Sequence, residues 1–254
     1  MEYLSSLLSL KGKTVAITGA GGHLCSKMAI GFHKSGCNVV VMDLKIKDLK
    51  IVFKSFKPMM LSLDVKSKKN FKDNLDLIKN KFGRIDILIN GAGINAPTPF
   101  LDISESEWDD ILSVHLKGTL FGCQVFGGQM LKQKHGGSII NISSASAGPP
   151  LSKAFAYSVA KAGIKNLTQN IAREWAKKGV RVNAIRPGFF PTEWSKKNFI
   201  TVERDKAIID HTPMGRYGKP EELIGAVLWL SSDAASFVTG AEIAVDGGFS
   251  AMTI

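Results

Sequence analysis

Tyr157 and Lys161 stand four residues apart in AYSVAKAG, within an amphipathic stretch, so a helix puts both side chains on one face. A free phenol titrates near ~10. An ammonium beside it shifts an acid by roughly 1–3 units. Such a tyrosine exchanges protons close to neutral pH, where general acid/base catalysis works best. The spacing alone is common, and its surroundings give it weight. Ser144 precedes Tyr157 by thirteen residues and directly follows an apolar run. A glycine-rich turn, TGAGGHLC (18–25), opens the chain after another such run, Thr14-Val15-Ala16-Ile17.

That turn leads into a helical pattern, the arrangement that binds the phosphates of a dinucleotide. Gly19, Gly21 and Gly22 give the turn its backbone freedom. His23 and Cys25 occupy positions where the usual fingerprint has its later glycines. Asp43 ends the next apolar run. A carboxylate there accepts hydrogen bonds from the adenosine ribose hydroxyls and repels a 2′-phosphate, which predicts NAD, with Lys45 and Lys47 softening the preference. The alternative for Asp43 is a cap on the following helix.

These residues need a scaffold, and the chain alternates between two patterns. Apolar runs at 14–18, 38–43, 58–65, 85–90, 137–143, 180–185 and 241–246 carry little polar alternation and are expected as strands buried on both faces. Amphipathic stretches near 24–36, 66–82, 104–133, 153–178 and 220–231 separate them. This predicts an α/β fold: one domain over 1–254, a doubly wound parallel sheet of about seven strands with helices on both faces. Ligands bind such sheets beyond the carboxyl ends of the strands, which is where the polar residues fall. The mixed segment 189–219 breaks the alternation and is expected to be a substrate lid.

With these pieces in place, the chain resembles the short-chain dehydrogenase/reductase family over essentially its whole length. The matching segments are TGAGG, Asp64-Val65, NGAG, SIINISS, YSVAK, VRVNAIRPGFFPT and VDGGF. The resemblance implies that Ser144 orients the substrate oxygen, that Tyr157 is the general acid/base, and that Lys161 binds the nicotinamide ribose and lowers the tyrosine pKa. It also assigns cofactor contacts to Gly19, Gly21, Gly22, His23, Leu24, Asp43, Asp64, Val65, Asn90, Ala92, Gly93, Pro187, Gly188 and Thr192. His115 stands where the family often has an asparagine of the proton relay; the other reading is a hydrogen-bonded core histidine. Gly118, Gly122, Gly127 and Gly128 are costly in a helix. The family implies a homotetramer with this helix and the 153–178 helix at the interface; the alternative is internal packing.

Composition narrows the function classes. Hydrophobic residues make up 44% and charged residues 22% of the 254, as in a globular domain, and no apolar run is long enough to span a membrane. The start lacks a basic leader, so no signal peptide is expected. Three scattered cysteines predict neither a disulfide framework nor a metal site, and fit a reducing, cytoplasmic setting. The net charge of +11 comes from dispersed lysines without a nucleic-acid motif. Segments such as GINAPTPF and RPGFFPTE are most similar to the family's mannonate (fructuronate) oxidoreductases and gluconate 5-dehydrogenases. The expected function is NAD-linked interconversion of an alcohol and a ketone on a small sugar acid. The alternatives are a 3-oxoacyl-carrier-protein reductase or other small-carbonyl reductase, and a dinucleotide-binding regulator without catalysis. Basic residues of the lid and catalytic edge, Arg186, Lys196, Lys197 and Arg204, are candidates to hold a carboxylate; Asn95, Ser146 and Glu193 are candidates for substrate hydroxyls.

Overall fold

Seven strands form one parallel sheet: β1 (Thr14–Thr18), β2 (Asn38–Asp43), β3 (Met59–Ser62), β4 (Ile87–Asn90), β5 (Gly137–Ile142), β6 (Val180–Pro187) and β7 (Glu242–Val245), in the order β3-β2-β1-β4-β5-β6-β7. The computed structural model describes residues 2–149, 151 and 153–252. All seven expected runs are strands. The chain winds outward from β1 to β3, then returns to place β4 on the other side of β1, with Thr18 in register with both Met42 and Asn90. That reversal opens a crevice at the carboxyl ends of β1 and β4, where a doubly wound sheet takes its ligand.

Apolar runs without alternation form these strands because both faces are covered. Val15 and Ile17 pack into one core with Met28, Phe32, Val41, Ile89 and Val227. Ala16 and Val40 face the other core, with Phe71, Ile78, Leu88 and Phe126. Every residue of β1 and β4 is buried. The expectation of burial on both faces fails at the two edges: the residues of β3 and β7 are partly or fully exposed, because an edge strand has a neighbour on one side only.

The helices are α1 (Glu2–Leu7), α2 (His23–Lys34), α3 (Ile46–Val52), α4 (Lys68–Phe82), α5 (105–130), α6 (Phe155–Trp175), α7 (Glu193–Phe199), α8 (Val202–Asp210) and α9 (Ile224–Ser231). Ser67 and Ser104 start α4 and α5 by accepting from the amides of Asn70 and Glu107, and left-handed Gly83 ends α4. α5 contains two wide, π-helical turns, Ser113–Lys117 and Cys123–Gly127. Three of its four glycines serve internal packing rather than a subunit contact. A Cβ on Gly118, Gly122 or Gly127 would lie 3.0 Å from Val65, 2.2 Å from Asn90 Oδ1 or 2.4 Å from Trp175; Gly128 alone faces open space. The 189–219 excursion holds the short helices α7 and α8. It is tied down by Tyr217, whose hydroxyl donates to Asp205 at 2.7 Å, and by Arg216 on Glu222.

Candidate active site

The catalytic candidates come from adjacent elements at the carboxyl edge. Ser144 follows β5 in an extended conformation, and its Oγ accepts from the amide and hydroxyl of Ser146 at 3.2 and 3.1 Å. Tyr157 and Lys161 share the buried side of α6, one turn apart. The Lys161 ammonium donates to the Ile142 carbonyl at 2.6 Å and lies 5.4 Å from the Tyr157 ring centroid. Burial lowers the Lys161 pKa to about 8. Burial raises that of Tyr157, and a hydrogen bond with Ser144 partly counters the rise. Desolvation of the phenolate is the larger of the two effects, and the Lys161 ammonium is bonded to the Ile142 carbonyl of β5.

Ser144 and Tyr157 face a cavity of about 210 Å³ that also exposes Asn95, Ser146, Ser195 and Arg204. Its apolar wall is Leu151, Phe189, Phe190, Phe199 and Ile200, and most of this wall comes from the excursion. A second cavity, about 580 Å³, lies over the β1–β4 crevice. Gly19, Gly21, Gly22, Asp43, Asp64, Val65, Ala92 and Gly93 line it. The segment 93–95 runs from one cavity to the other, Gly93 and Ile94 lining the larger and Asn95 the smaller.

The larger cavity has the features a dinucleotide requires. No side chain caps the first turn of α2, so its leading N–H groups remain for an anion. Gly19 has φ +67°, and a Cβ there would sit 2.6 Å from Ala92 Cα. Thr18, given no specific role in the sequence, fixes the opposite wall by accepting from Gly91 and Ala92 amides at 3.0 and 3.2 Å. Asp43 accepts from the Gly21 and Leu44 amides at 2.9 and 2.8 Å. It thus shapes the loop while its carboxylate stays on the cavity wall.

His115 lies in the first wide turn of α5, 2% exposed. Its Nε2 is 2.6 Å from the Ile94 carbonyl and 3.0 Å from the Ile94 nitrogen, while buried Nδ1 has no partner among the described residues. Burial, reinforced by the Lys161 charge, drives its pKa down to about 3. The imidazole is therefore neutral at physiological pH. Gly93 makes room for it: a Cβ there would be 2.2 Å from His115 Cε1.

A family model described as "Enoyl-(Acyl carrier protein) reductase", a short-chain dehydrogenase/reductase model, matches residues 19–250. The chain belongs to the short-chain dehydrogenase/reductase family. It is 34% identical to the 2-dehydro-3-deoxy-D-gluconate 5-dehydrogenase of Dickeya dadantii, over 95% of this chain and 96% of that one. The structure of a putative D-mannonate oxidoreductase from Haemophilus influenza with bound NAD superposes with a TM-score of 0.89 at 36% identity, covering 98% and 99% of the two chains. That of a gluconate 5-dehydrogenase from Burkholderia cenocepacia with NADP and tartrate gives 0.92 at 27% identity, covering 98% and 100%. As a short-chain dehydrogenase/reductase, the protein is an oxidoreductase that uses a nicotinamide dinucleotide.

Not every residue expected at the site of this short-chain dehydrogenase/reductase lies in a cavity. His23 is exposed at the first turn of α2, with its imidazole near enough to Glu221 to affect that carboxyl, and Leu24 packs against a core cluster. Asn90 is buried: its Nδ2 donates to Asn141 Oδ1 at 2.9 Å, and Asn141 donates to Thr168 at 2.9 Å, a polar chain that ties β4 to β5 and α6. Thr192 caps α7 by accepting from the Ser195 amide at 3.0 Å. Pro187 ends β6 buried, and Gly188 lines the smaller cavity where a Cβ would strike Asp246 at 2.7 Å. Cys25 explains its own departure from glycine. Its Sγ occupies the space over Gly91, where a Cβ would be only 2.2 Å away, so a small residue still joins helix to loop. The three cysteines are buried and free.

Proposed function

We propose that the protein is an NAD(H)-dependent oxidoreductase that interconverts a secondary alcohol and a ketone on a sugar acid, a hexonate or hexuronate. One observation carries this reading: the cavity holding Ser144 and Tyr157 also presents Arg204 and a set of neutral polar groups, Asn95, Ser146 and Ser195. A guanidinium suits a carboxylate by its forked geometry. Hydroxyls and an amide suit a polyhydroxylated chain. The other candidate cations, Arg186, Lys196 and Lys197, do not line this cavity, and neither does Glu193. The names of the relatives above, all sugar-acid enzymes, support the same substrate class.

In oxidation, Tyr157 takes the proton of the substrate hydroxyl as its phenolate, the form that the Ser144 hydrogen bond favours against burial, with Ser144 holding that oxygen. In reduction the phenol returns it. The nicotinamide, when bound, supplies the acceptor or donor of hydride. Gly19, Gly21, Gly22, Asp64, Val65, Ala92 and Gly93 would hold the dinucleotide, with His23 and Leu24 contributing through their N–H groups and Thr192 through its hydroxyl hydrogen. Lys161 would reach the ribose. Asp43 favours NAD, while exposed Lys45 on the same wall is the group available to a 2′-phosphate. His115 holds Ile94 and thereby the segment carrying Asn95 to the substrate. An apolar groove of about 600 Å³ between α5 and α6, lined by Leu112, Leu116, Leu120 and Leu167, supports assembly as a homotetramer through this face. No described helix is long and apolar enough to cross a membrane, and cytoplasmic location remains part of this proposal.

The test is turnover with NAD(H) on fructuronate, mannonate, gluconate and 5-ketogluconate, set against neutral polyols and a short 3-oxoacyl thioester. At least one sugar acid should give the highest kcat/KM. A thioester outrunning every acid would favour a carrier-protein reductase.

A further inference from the structure

The amino ends of the strands, opposite the active site, hold a cavity that catalysis does not use. It measures about 330 Å³ and is lined by Lys13 before β1, Arg84 and Asp86 before β4, His135 before β5, Arg181 on β6, and Asp233. A five-residue strand separates it from the carboxyl edge, on the order of 15 Å. Its floor is made of turns that only glycine permits: Gly136 has φ +64°, and a Cβ there would lie 1.9 Å from the Gly179 carbonyl.

The charges in this cavity do different work. Asp86 is 5% exposed and fully engaged, accepting from the Thr14 amide at 2.8 Å and from Arg84 Nε at 2.9 Å, with His135 Nε2 at 3.1 Å. Its charge is cancelled in place by Arg84. Lys13 pairs at 3.2 Å with Asp233, whose side chain is 76% exposed. Such an exposed pair is worth little and is readily exchanged for a better anion. Arg181 is held by backbone carbonyls alone, Val238 at 3.4 Å and Ser232 at 3.2 Å, and among the described residues no carboxylate lies within ion-pair distance of it. A guanidinium has five donors, so the two anchoring bonds leave the rest of the fork for a ligand. Burial depresses its pKa, and the charge of nearby Asp233 offsets part of that drop.

We propose that this cavity is a second binding site for the phosphate group of a small soluble phosphate monoester, held between Arg181 and Lys13. The volume exceeds that of a bare phosphate and accommodates a sugar-sized remainder. An incoming dianion replaces Asp233 on Lys13 and gives Arg181 an anion at ion-pair distance, while the Arg84–Asp86 pair stays intact.

The experiment is calorimetric titration of the whole protein, saturated with NADH to block the dinucleotide cavity. The probes are inorganic phosphate and glucose 6-phosphate, with glucose as the uncharged control and phosphatidic acid vesicles as the lipid arm. Saturable binding of both soluble phosphates and none of glucose is expected. Lys13→Ala should weaken it by about tenfold, and Arg181→Lys, which keeps the charge and removes the fork, by a similar factor. Circular dichroism and turnover of each variant establish that it is folded. Absence of saturation, binding that appears only when NADH is left out, indifference to both substitutions, or binding to vesicles alone would each overturn the proposal.

Discussion

The imidazole of His115 meets the Tyr157 ring edge-on, with centroids 5.1 Å apart and planes at 86°. The same imidazole grips Ile94 through Nε2, so one neutral side chain joins α5, the loop after β4 and Tyr157 on α6. Tyr157 is thus located by packing on one side and by Ser144 on the other.

Tyr157→Phe keeps that packing and removes the transferable proton. The variant should bind NADH as the parent does, while kcat falls by at least ~10²–10⁴, the usual loss for a general acid/base. Fluorescence titration with NADH and steady-state kinetics separate the two effects. Near-parental turnover would remove Tyr157 from its role.

His115 makes the fold acid-sensitive in a defined window. Its pKa is about 6.5 unfolded and about 3 folded, so below pH 6.5 the unfolded chain binds more protons at this site than the native one. Its contribution to stability is complete above pH 6.5 and declines as pH falls from there toward 3. His115→Asn removes the titration. Urea midpoints of the parent should drop more steeply than those of the variant between pH 6.5 and 4.5. Parallel curves would mean that His115 is not buried and neutral.

The sheet was legible because a strand covered on both faces has no need for alternation, and the runs at 14–18 and 38–43 match β1 and β2 residue for residue. The edge strand β3 shortened: its register with β2 ends at Ser62, with only the Leu63 amide still donating to the Asp43 carbonyl. The Ser144, Tyr157 and Lys161 constellation was legible from spacing on one helix and one strand end. The inward bonds of Asn90 were not legible, because its chain through Asn141 to Thr168 depends on pairings far apart in sequence. Thr18 stood out as a strand-end residue, but its two bonds to the loop after β4 depend on a contact far apart in sequence. Ser195 and the Phe189–Phe190 wall belong to the excursion, whose polar, mixed composition gave no period from which to place side chains.

Asp43 shapes the glycine loop through its bond to Gly21, and in the proposed function its charge sets the cofactor choice. Asp43→Ser should cut the kcat/KM preference for NAD over NADP by roughly tenfold or more, the scale of lost charged hydrogen bonds. NAD binding itself should weaken as the loop loosens. Equal use of both cofactors by the unaltered protein would contradict the role given to this carboxylate.

The most direct measurement is the ratio of NAD-dependent kcat/KM for mannonate or gluconate to that for the matching alditol, mannitol or sorbitol, in the protein and in Arg204→Gln. These pairs keep the hydroxyls and differ at the carboxylate. The cavity geometry predicts that an acid leads its alditol by roughly ten- to hundredfold in the parent, the scale of a charged hydrogen bond. The lead should collapse in Arg204→Gln and shrink as salt is raised. A parent that oxidises the alditol as well as the acid would contradict the account.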